Sequence, residues 1–472
     1  MTHVDTYASS DQILTVAQMR AAEEALIADG ISVDELMQRA GQGAAAWVWR
    51  VSGGNSVSVL CGPGNNGGDG YVIAESLRRR GGQVVVIAPM APVTEAAKTA
   101  RALYQGEVQD GEGDLPRGEV FVDCLFGSGL SRPLEDAHRE LVTNLAARHA
   151  KAVAVDMPSG IASDSGLLLN EDLPAYTLTL ALGAWKFAHF LMPASARMGN
   201  LRLVPIGVTP VDGAAQAIAR PEIAAPPADA HKYTRGLLAV VGGAMPGAAI
   251  LASTAAQGAG AGYVKLFAAD KRNCPSDLVV ETGPVSDLLS DHRNAAILVG
   301  PGLGRDGAAR ERLAIALADP VPVVLDADAL VLLGPRLLAE RSAPLIATPH
   351  EGELVALERA FACEEGTTRI ERAVALARAS GMVIVAKGPD TVIAGPEGQL
   401  ACAPRASAWL STAGTGDVLA GTIASRLATG LDPFVAACEG VWLHGEAARL
   451  APKPFTASQL AETIPAALAA CL

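Results

Sequence analysis

The sequence predicts an α/β protein made of two three-layer α/β/α units. Three observations lead there. At 472 residues the chain exceeds what one hydrophobic core ordinarily serves. Short β-rich runs alternate with helical stretches over most of its length, the pattern of mostly parallel sheets covered by helices on both faces. Between Asp212 and Ala230 the composition turns to Ala, Pro and Asp, which reads as a linker with some extended proline character. The expected division is therefore 1–212, a linker over 213–230, and 231–472.

The elements follow in order. Residues Val16 to Trp49 read as helices, with Gln38-Arg39-Ala40-Gly41 interrupting the pattern without stopping it. Strands are expected at Val57–Leu60, Val84–Ile87, Val120–Leu125, Ala152–Asp156, Thr177–Leu180 and Leu201–Val204, and a helix at Tyr71–Arg80. The second series opens at Leu237-Leu238-Ala239-Val240-Val241. It continues with strands expected at Tyr263–Phe267, Ile297–Val299, Val321–Leu325, Leu345–Thr348 and Met382–Ala386. The stretch Asp390 to Leu400 reads as a hairpin turning at Gly395 to Gly398, and helices fill the chain from Gly416 onward.

Composition narrows the function classes. A net charge of −13 argues against general affinity for nucleic acid or for an anionic membrane. An anionic substrate must then be held by local N–H groups, a lysine or a cation. The seven cysteines are scattered and form no CxxC pair, so reduced thiols in a cytoplasm are expected, without a zinc site. The N-terminus shows no basic region followed by an apolar stretch, and the apolar runs are too short or too glycine-broken to cross a bilayer.

Two glycine-rich turns carry the chemistry. The first, Cys61-Gly62-Pro63-Gly64-Asn65-Asn66-Gly67-Gly68-Asp69-Gly70, follows the strand expected at Val57–Leu60. Glycines there permit close backbone approach and positive φ, and the helix start favours a phosphate. Two more strand ends carry acids: Asp123 before Phe126-Gly127-Ser128-Gly129-Leu130, and Asp156 before Met157-Pro158-Ser159-Gly160. Alone, each Asp reads as a helix N-cap or turn former. Together the three turns can converge on one crevice, since open parallel sheets collect ligands at strand carboxyl ends.

These segments, with Glu35-Leu36-Met37-Gln38-Arg39-Ala40-Gly41, resemble the NAD(P)H-hydrate epimerase family over roughly residues 10 to 210. The resemblance implies a Rossmann-like unit. It implies potassium held by oxygens of Asn66, Asp123 and Ser159. It places the hydrated dinucleotide against Asn65, Asn66, Gly67, Gly68 and Asp69, against Gly127, Ser128, Gly129, Leu130, Ser131 and Arg132, and near Asp156. Asp156 is the candidate acid/base, and Lys186 matches a family lysine near the reacting ring. The chain departs from the pattern in having Tyr176 before Thr177, and Phe187-Ala188 after Lys186.

The second turn is Ser411-Thr412-Ala413-Gly414-Thr415-Gly416-Asp417. Gly414 and Gly416 let successive N–H groups line an anion hole at a helix start. A carboxylate at 417 would face the anion that such a site attracts, which suits a base taking a proton from a hydroxyl that attacks phosphate. Its companions are Lys232, Gly242-Gly243 with Gly247-Ala248, Gly300-Pro301-Gly302-Leu303-Gly304, Asp326-Ala327-Asp328, Thr348-Pro349-His350-Glu351-Gly352-Glu353 and Lys387-Gly388-Pro389-Asp390-Thr391. Together they resemble the ribokinase-like superfamily and, within it, the NAD(P)H-hydrate dehydratase branch. The resemblance implies that Lys387, Gly388, Pro389, Asp390, Thr391, Gly414, Thr415 and Gly416 touch the adenine nucleotide. It implies that Ala248, Gly302, His350 and Asp417 touch the hydrated dinucleotide.

The implied reaction uses ADP, with ATP as the other option, and Mg²⁺. Asp417 takes the hydroxyl proton of the NADH or NADPH hydrate, a phosphoryl group transfers to oxygen, and phosphate departs. The epimerase makes both hydrates usable. The partners implied are small molecules, with no nucleic acid or membrane, and a homo-oligomer is the expected assembly. The competing reading is a kinase for a hydroxymethylpyrimidine or sugar, fused to an epimerase-like binding module without catalysis.

Overall fold

The computed structural model describes residues 11–472 except 270, 273 and 365. The first ten residues, on which the reading of the N-terminus rests, lie outside the described set. The chain divides into two compact units, one through Ala217 and one from Ile218. The division falls inside the stretch read as a linker. That stretch also holds a short strand, Ala215–Ala217, antiparallel to Gln12–Ile13.

The first unit is a seven-stranded parallel sheet. Across it run Glu107–Gln109, Val84–Ile87, Val57–Cys61, Gly118–Cys124, His149–Val155, Leu178–Leu182 and Asn200–Val204. Its central strands are apolar on both faces because both faces are covered. Val57, Val59, Val120 and Val122 pack with residues of the helices Val33–Ser52 and Asn65–Arg79. Leu60, Phe121, Ala152 and Ala154 turn the other way, onto Leu141, Val142 and Leu145 of the helix Asp136–Ala147. The period of two therefore builds two cores around one sheet, a three-layer, doubly wound unit.

In the second unit the order is Leu400–Cys402, Val392–Ala394, Val383–Ala386, Leu345–Ala347, Val323–Leu325, Asn294–Val299, Leu237–Val241, Tyr263–Phe267 and Val279–Glu281. From Val383–Ala386 to Val279–Glu281 the pairing is parallel. The expected hairpin adds two antiparallel strands to this series, closed by Gly395 N–H donating to Gln399 O at 2.8 Å. Leu238, Val240, Leu298, Val324 and Ile346 share a core with the helices Pro246–Gly258, Thr415–Ala428 and Pro433–Leu450. Among the described residues no helix is long and apolar enough to cross a membrane.

Three local details bear on the sequence reading, and the third departs from it. The opening helical stretch is two helices, Val16–Ala28 and Val33–Ser52, parted at Asp29–Ser32, where Ser32 caps the second. Gln38 to Gly41 lies inside that second helix. The helix expected from Tyr71 starts at Asn65, so the Asn-Asn-Gly-Gly-Asp string forms its first turns. Its glycines serve close packing without positive φ. A Cβ at Gly67 would lie 1.9 Å from the Gly62 carbonyl oxygen, and one at Gly70 2.7 Å from Cys61 Sγ.

Candidate active sites

In the first unit, Val57–Cys61 lies beside Gly118–Cys124, which lies beside His149–Val155. Strand order reverses between the first two, the point where a doubly wound sheet opens a crevice. The helix Asn65–Arg79 begins there with no side-chain cap and no acid in its first turn. Its leading amides are left for an anion.

Lys186, only 1% exposed, sets the chemistry of this crevice. Its ammonium lies 2.6 Å from Asp156 Oδ1 and 2.7 Å from the Leu182 carbonyl oxygen. The Ser128 amide donates to Asp156 Oδ2 at 2.9 Å. Asp156 adopts φ of 63°, a conformation that costs a non-glycine residue about 1 kcal/mol or more. Buried His189 braces it. The Lys186 amide donates to His189 Nδ1 at 2.9 Å, so Nε2 carries the proton that meets the Asp156 carbonyl at 3.0 Å.

Burial alone would raise the Asp156 carboxyl, but the Lys186 ammonium and the Ser128 donors outweigh it and bring it to about 2. Asp69 moves the opposite way. Burial, then the neighbouring Asp156 and Glu23 carboxylates, push it well above the usual range. Burial raises Glu23 as well, against the pull of Lys186. A carboxylate held ionised thus shares the crevice with carboxyls that favour their protons, the pairing that acid/base exchange needs.

Asp123 is fully buried. Its Oδ1 accepts from Leu125 N at 3.1 Å and Ser159 Oγ at 2.8 Å. Its Oδ2 accepts from the Tyr176 hydroxyl at 2.6 Å and Ser159 N at 3.0 Å. The Ser159 hydroxyl also lies 3.2 Å from the Phe126 carbonyl. The Asn66 amide oxygen, as placed, faces the Val155 carbonyl oxygen. Turned over, the amide would donate to Val155 O at 3.2 Å and accept from Gly127 N at 3.3 Å. A Cβ at Gly127 would sit 3.0 Å from Asp156 Oδ2 and 3.2 Å from Asn66 Cγ. Asn66, Gly127, Ser128 and Asp156 therefore meet, and the Asp156 carboxylate acts on Asp69 through its charge. Asn65 is exposed and accepts from Thr94 Oγ1 at 2.7 Å, and Gly129, Ser131 and Arg132 are exposed.

In the second unit the order reverses between Leu237–Val241 and Asn294–Val299, and the glycine turns at 242–243 and 300–304 leave their carboxyl ends. Gly302, at φ of 63°, accepts from Met245 N at 2.9 Å, and a Cβ there would collide with the Met245 carbonyl oxygen at 2.1 Å. That contact seats the uncapped start of the helix Pro246–Gly258, whose third residue is Ala248.

Gly414, at φ of 91°, opens the helix Thr415–Ala428 without a side-chain cap. Asp417 lies in its first turn, half-buried. Lys387 leans over the same start, its Nζ 3.5 Å from where a Gly416 Cβ would be. Asp326, 2% exposed, holds the Lys387 ammonium at 2.6 Å and accepts from Thr348 Oγ1 at 2.6 Å. Burial first, then the Asp326 carboxylate, raise Asp417 to about 6, with Lys387 opposing. The loop from Lys387 to Thr391 is closed by the Thr391 hydroxyl, which accepts from Gly388 N at 3.3 Å and donates to Gly388 O at 3.0 Å. Asp390 pairs with Arg369 at 3.1 Å.

His350 caps the helix Glu351–Ala360. Its Nδ1 accepts from Gly352 N and Glu353 N at 3.0 and 3.3 Å, while Glu353 returns a bond to His350 N. The rest of the ring stays exposed. Lys232 does not join this site. It stacks 4.6 Å over Tyr263, the first residue of its strand, at the amino end of the sheet. Sequence reasoning missed Glu23 and His444, which sit mid-helix, and His189, at the end of the short turn Phe187–His189, none of them in a motif. Met19 offers the one trace of Glu23: it lies a helical turn earlier and packs on Gly183.

A family model described as NAD(P)H-hydrate dehydratase matches residues 238–469, and one described as YjeF-related protein N-terminus matches 33–188. A bifunctional NAD(P)H-hydrate repair enzyme Nnr of Salinibacter ruber is 34% identical, the alignment covering 98% of this chain and 97% of the relative. Its counterpart in Gloeobacter violaceus is 35% identical, covering 92% of each. A crystal structure of ADP/ATP-dependent NAD(P)H-hydrate dehydratase from Bacillus subtilis, co-crystallised with ATP/Mg²⁺, is 28% identical. It covers 53% of this chain and 95% of its own, with a TM-score of 0.46.

Proposed function

This chain belongs to the family of bifunctional NAD(P)H-hydrate repair enzymes, and on that premise we propose a division of its chemistry between the two units. The first interconverts the R and S hydrates of NADH and NADPH. The second dehydrates the S hydrate with ADP and returns the reduced dinucleotide.

The observation that carries the second assignment is Asp417. It stands in the first turn of an uncapped helix, beside a lysine, with a pKa near 6. Such a carboxylate is ionised at neutral pH and basic enough to take the proton of the substrate hydroxyl as that oxygen attacks phosphorus. The amides of Gly416 and Asp417 face the anion, and Lys387 neutralises phosphate charge after leaving Asp326. Gly388 to Thr391 line the nucleotide, while Ala248, Gly302 and His350 line the dinucleotide. Mg²⁺ carried by the nucleotide would offset charge on the transferring group. Asp326, whose charge reaches Asp417, is the carboxylate on offer to it once Lys387 has left.

In the first unit, Asp156 and Lys186 exchange protons with the hydrated ring, and the amides from Asn65 to Asp69 with the turn Gly127 to Arg132 hold the dinucleotide. The oxygens of Asn66, Asp123 and Ser159 fit potassium as hard donors: the Asp123 carboxylate and the Ser159 hydroxyl are hydrogen-bonded to each other, and Asn66 meets the turn at Gly127. The single Ser159 hydroxyl proton has both Asp123 Oδ1 and Phe126 O within reach, at 2.8 and 3.2 Å. The ion would supply positive charge near the phosphates. We also propose a cytoplasmic location, supported by seven scattered cysteines, none in a CxxC pair.

The test incubates the full chain with hydrated NADH and either ADP or ATP. Return of the NADH absorbance band with release of inorganic phosphate is expected, faster with ADP. Accumulation of a phosphorylated product without that band would instead identify a small-molecule kinase.

A further inference from the structure

His444 lies on the helix Pro433–Leu450, buried, with no part in the chemistry described above. Its Nε2 sits 2.9 Å from the Thr415 carbonyl oxygen. A carbonyl only accepts, so Nε2 carries the proton. Burial, with Lys387 nearby, lowers the ring to about 4 and keeps it neutral. The same carbonyl is the one the helix offers to residue 419, and its second lone pair is free for the imidazole. The reach is built into the packing. Gly440, one turn earlier on the same helix, lies so close to Ile423 that a Cβ would be 2.5 Å from its Cγ1.

Thr415 stands between two glycines, where the backbone is least constrained by its own side chains. Its hydroxyl is already spent on the Leu410 and Thr412 carbonyls, at 2.8 and 2.9 Å. The Thr415 carbonyl and the Gly416 N–H belong to one planar peptide and point in opposite directions. Fixing the carbonyl therefore fixes the direction of the amide. We propose that His444 is a positioning residue of the second site: by clamping the Thr415 carbonyl it aims the Gly416 N–H at the transferring phosphoryl group.

The inference rests on reading this unit as a phosphoryl-transfer site, but one of its readouts does not. In the full chain, His444→Leu removes the clamp, and His444→Gln keeps a donor near the position of Nε2. We expect His444→Leu to lower dehydration kcat about 10- to 100-fold, with KM for both substrates within about threefold and ADP affinity preserved. Amide exchange in the segment 411–420 should speed up in the same variant. His444→Gln should recover most of kcat and slow exchange. A His444→Leu enzyme with wild-type kcat and exchange overturns the proposal, as does a His444→Gln enzyme as impaired as the leucine variant. If the leucine variant fails to bind ADP, the glutamine variant alone decides. If wild-type protein dehydrates nothing, the functional reading fails, and the exchange comparison still tests the clamp.

Discussion

Asp417 meets two demands that oppose each other: a general base must be ionised at working pH and still hold a proton well. Its surroundings settle near 6 because burial and Asp326 raise it while Lys387 pulls it down. Dehydration should therefore rise as pH climbs through about 6. Asp326→Asn removes one cause of the raised value and leaves Lys387 unpaired beside Asp417, and both changes favour the ionised form. The acid limb of the kcat/KM profile should move to lower pH, and a limb that stays or moves upward defeats this account. Asp417→Asn keeps the side chain's size without its basicity. It should cost about 10²–10⁴-fold in kcat and leave ADP affinity within about tenfold, or roughly 1.4 kcal/mol. Residues of this kind are legible in sequence because their neighbours along the chain form the motif. Asp69, Asp123, Asp156 and Asp417 were singled out that way. Glu23, His189 and His444 were not, because what matters about each is a partner 29 to 163 residues distant or a charge met only through space.

At the scale of elements, the helix Asn65–Arg79 sets a propensity against a contact. Alanine in place of a helical glycine favours the helix by about 1 kcal/mol. At Gly67 that gain is overwhelmed, since the new methyl would lie 1.9 Å from a backbone oxygen that cannot rotate away. Gly67→Ala should destabilise the protein by about 1–3 kcal/mol in thermal or denaturant unfolding. Gly64→Ala, with open space at its Cβ, should change it by less than about 1 kcal/mol. Equal effects at the two positions would mean that the packing of this turn is not what demands glycine. The same glycines explain why sequence reasoning started this helix six residues late: poor helix formers in its first turns hid its beginning. The central strands were legible because burial on both faces leaves a continuous apolar run. Glu107–Gln109 and Val279–Glu281 were missed because three-residue edge strands with exposed ends carry no such run.

The whole chain joins two units with separate cores, and its chemistry divides along the same line. If Asp156 serves only epimer exchange and Asp417 only dehydration, the two losses should be separable. Asp156→Asn is the gentler probe, because it keeps an oxygen within reach of Lys186, whereas truncation to alanine would strand a buried ammonium at a cost of about 3–5 kcal/mol. The Asp156→Asn chain should restore NADH from the S hydrate at the wild-type rate and leave the R hydrate to its slow spontaneous exchange. The Asp417→Asn chain should exchange epimers and restore almost nothing. Mixed in solution, the two variants should together clear both hydrates, because the S hydrate released by one chain is the substrate of the other. The amplitude of recovered NADH absorbance from an equal mixture of epimers reads this directly. A mixture that stops at the S fraction would show that one polypeptide must carry both intact sites, and a division of labour by freely diffusing hydrate would then be wrong.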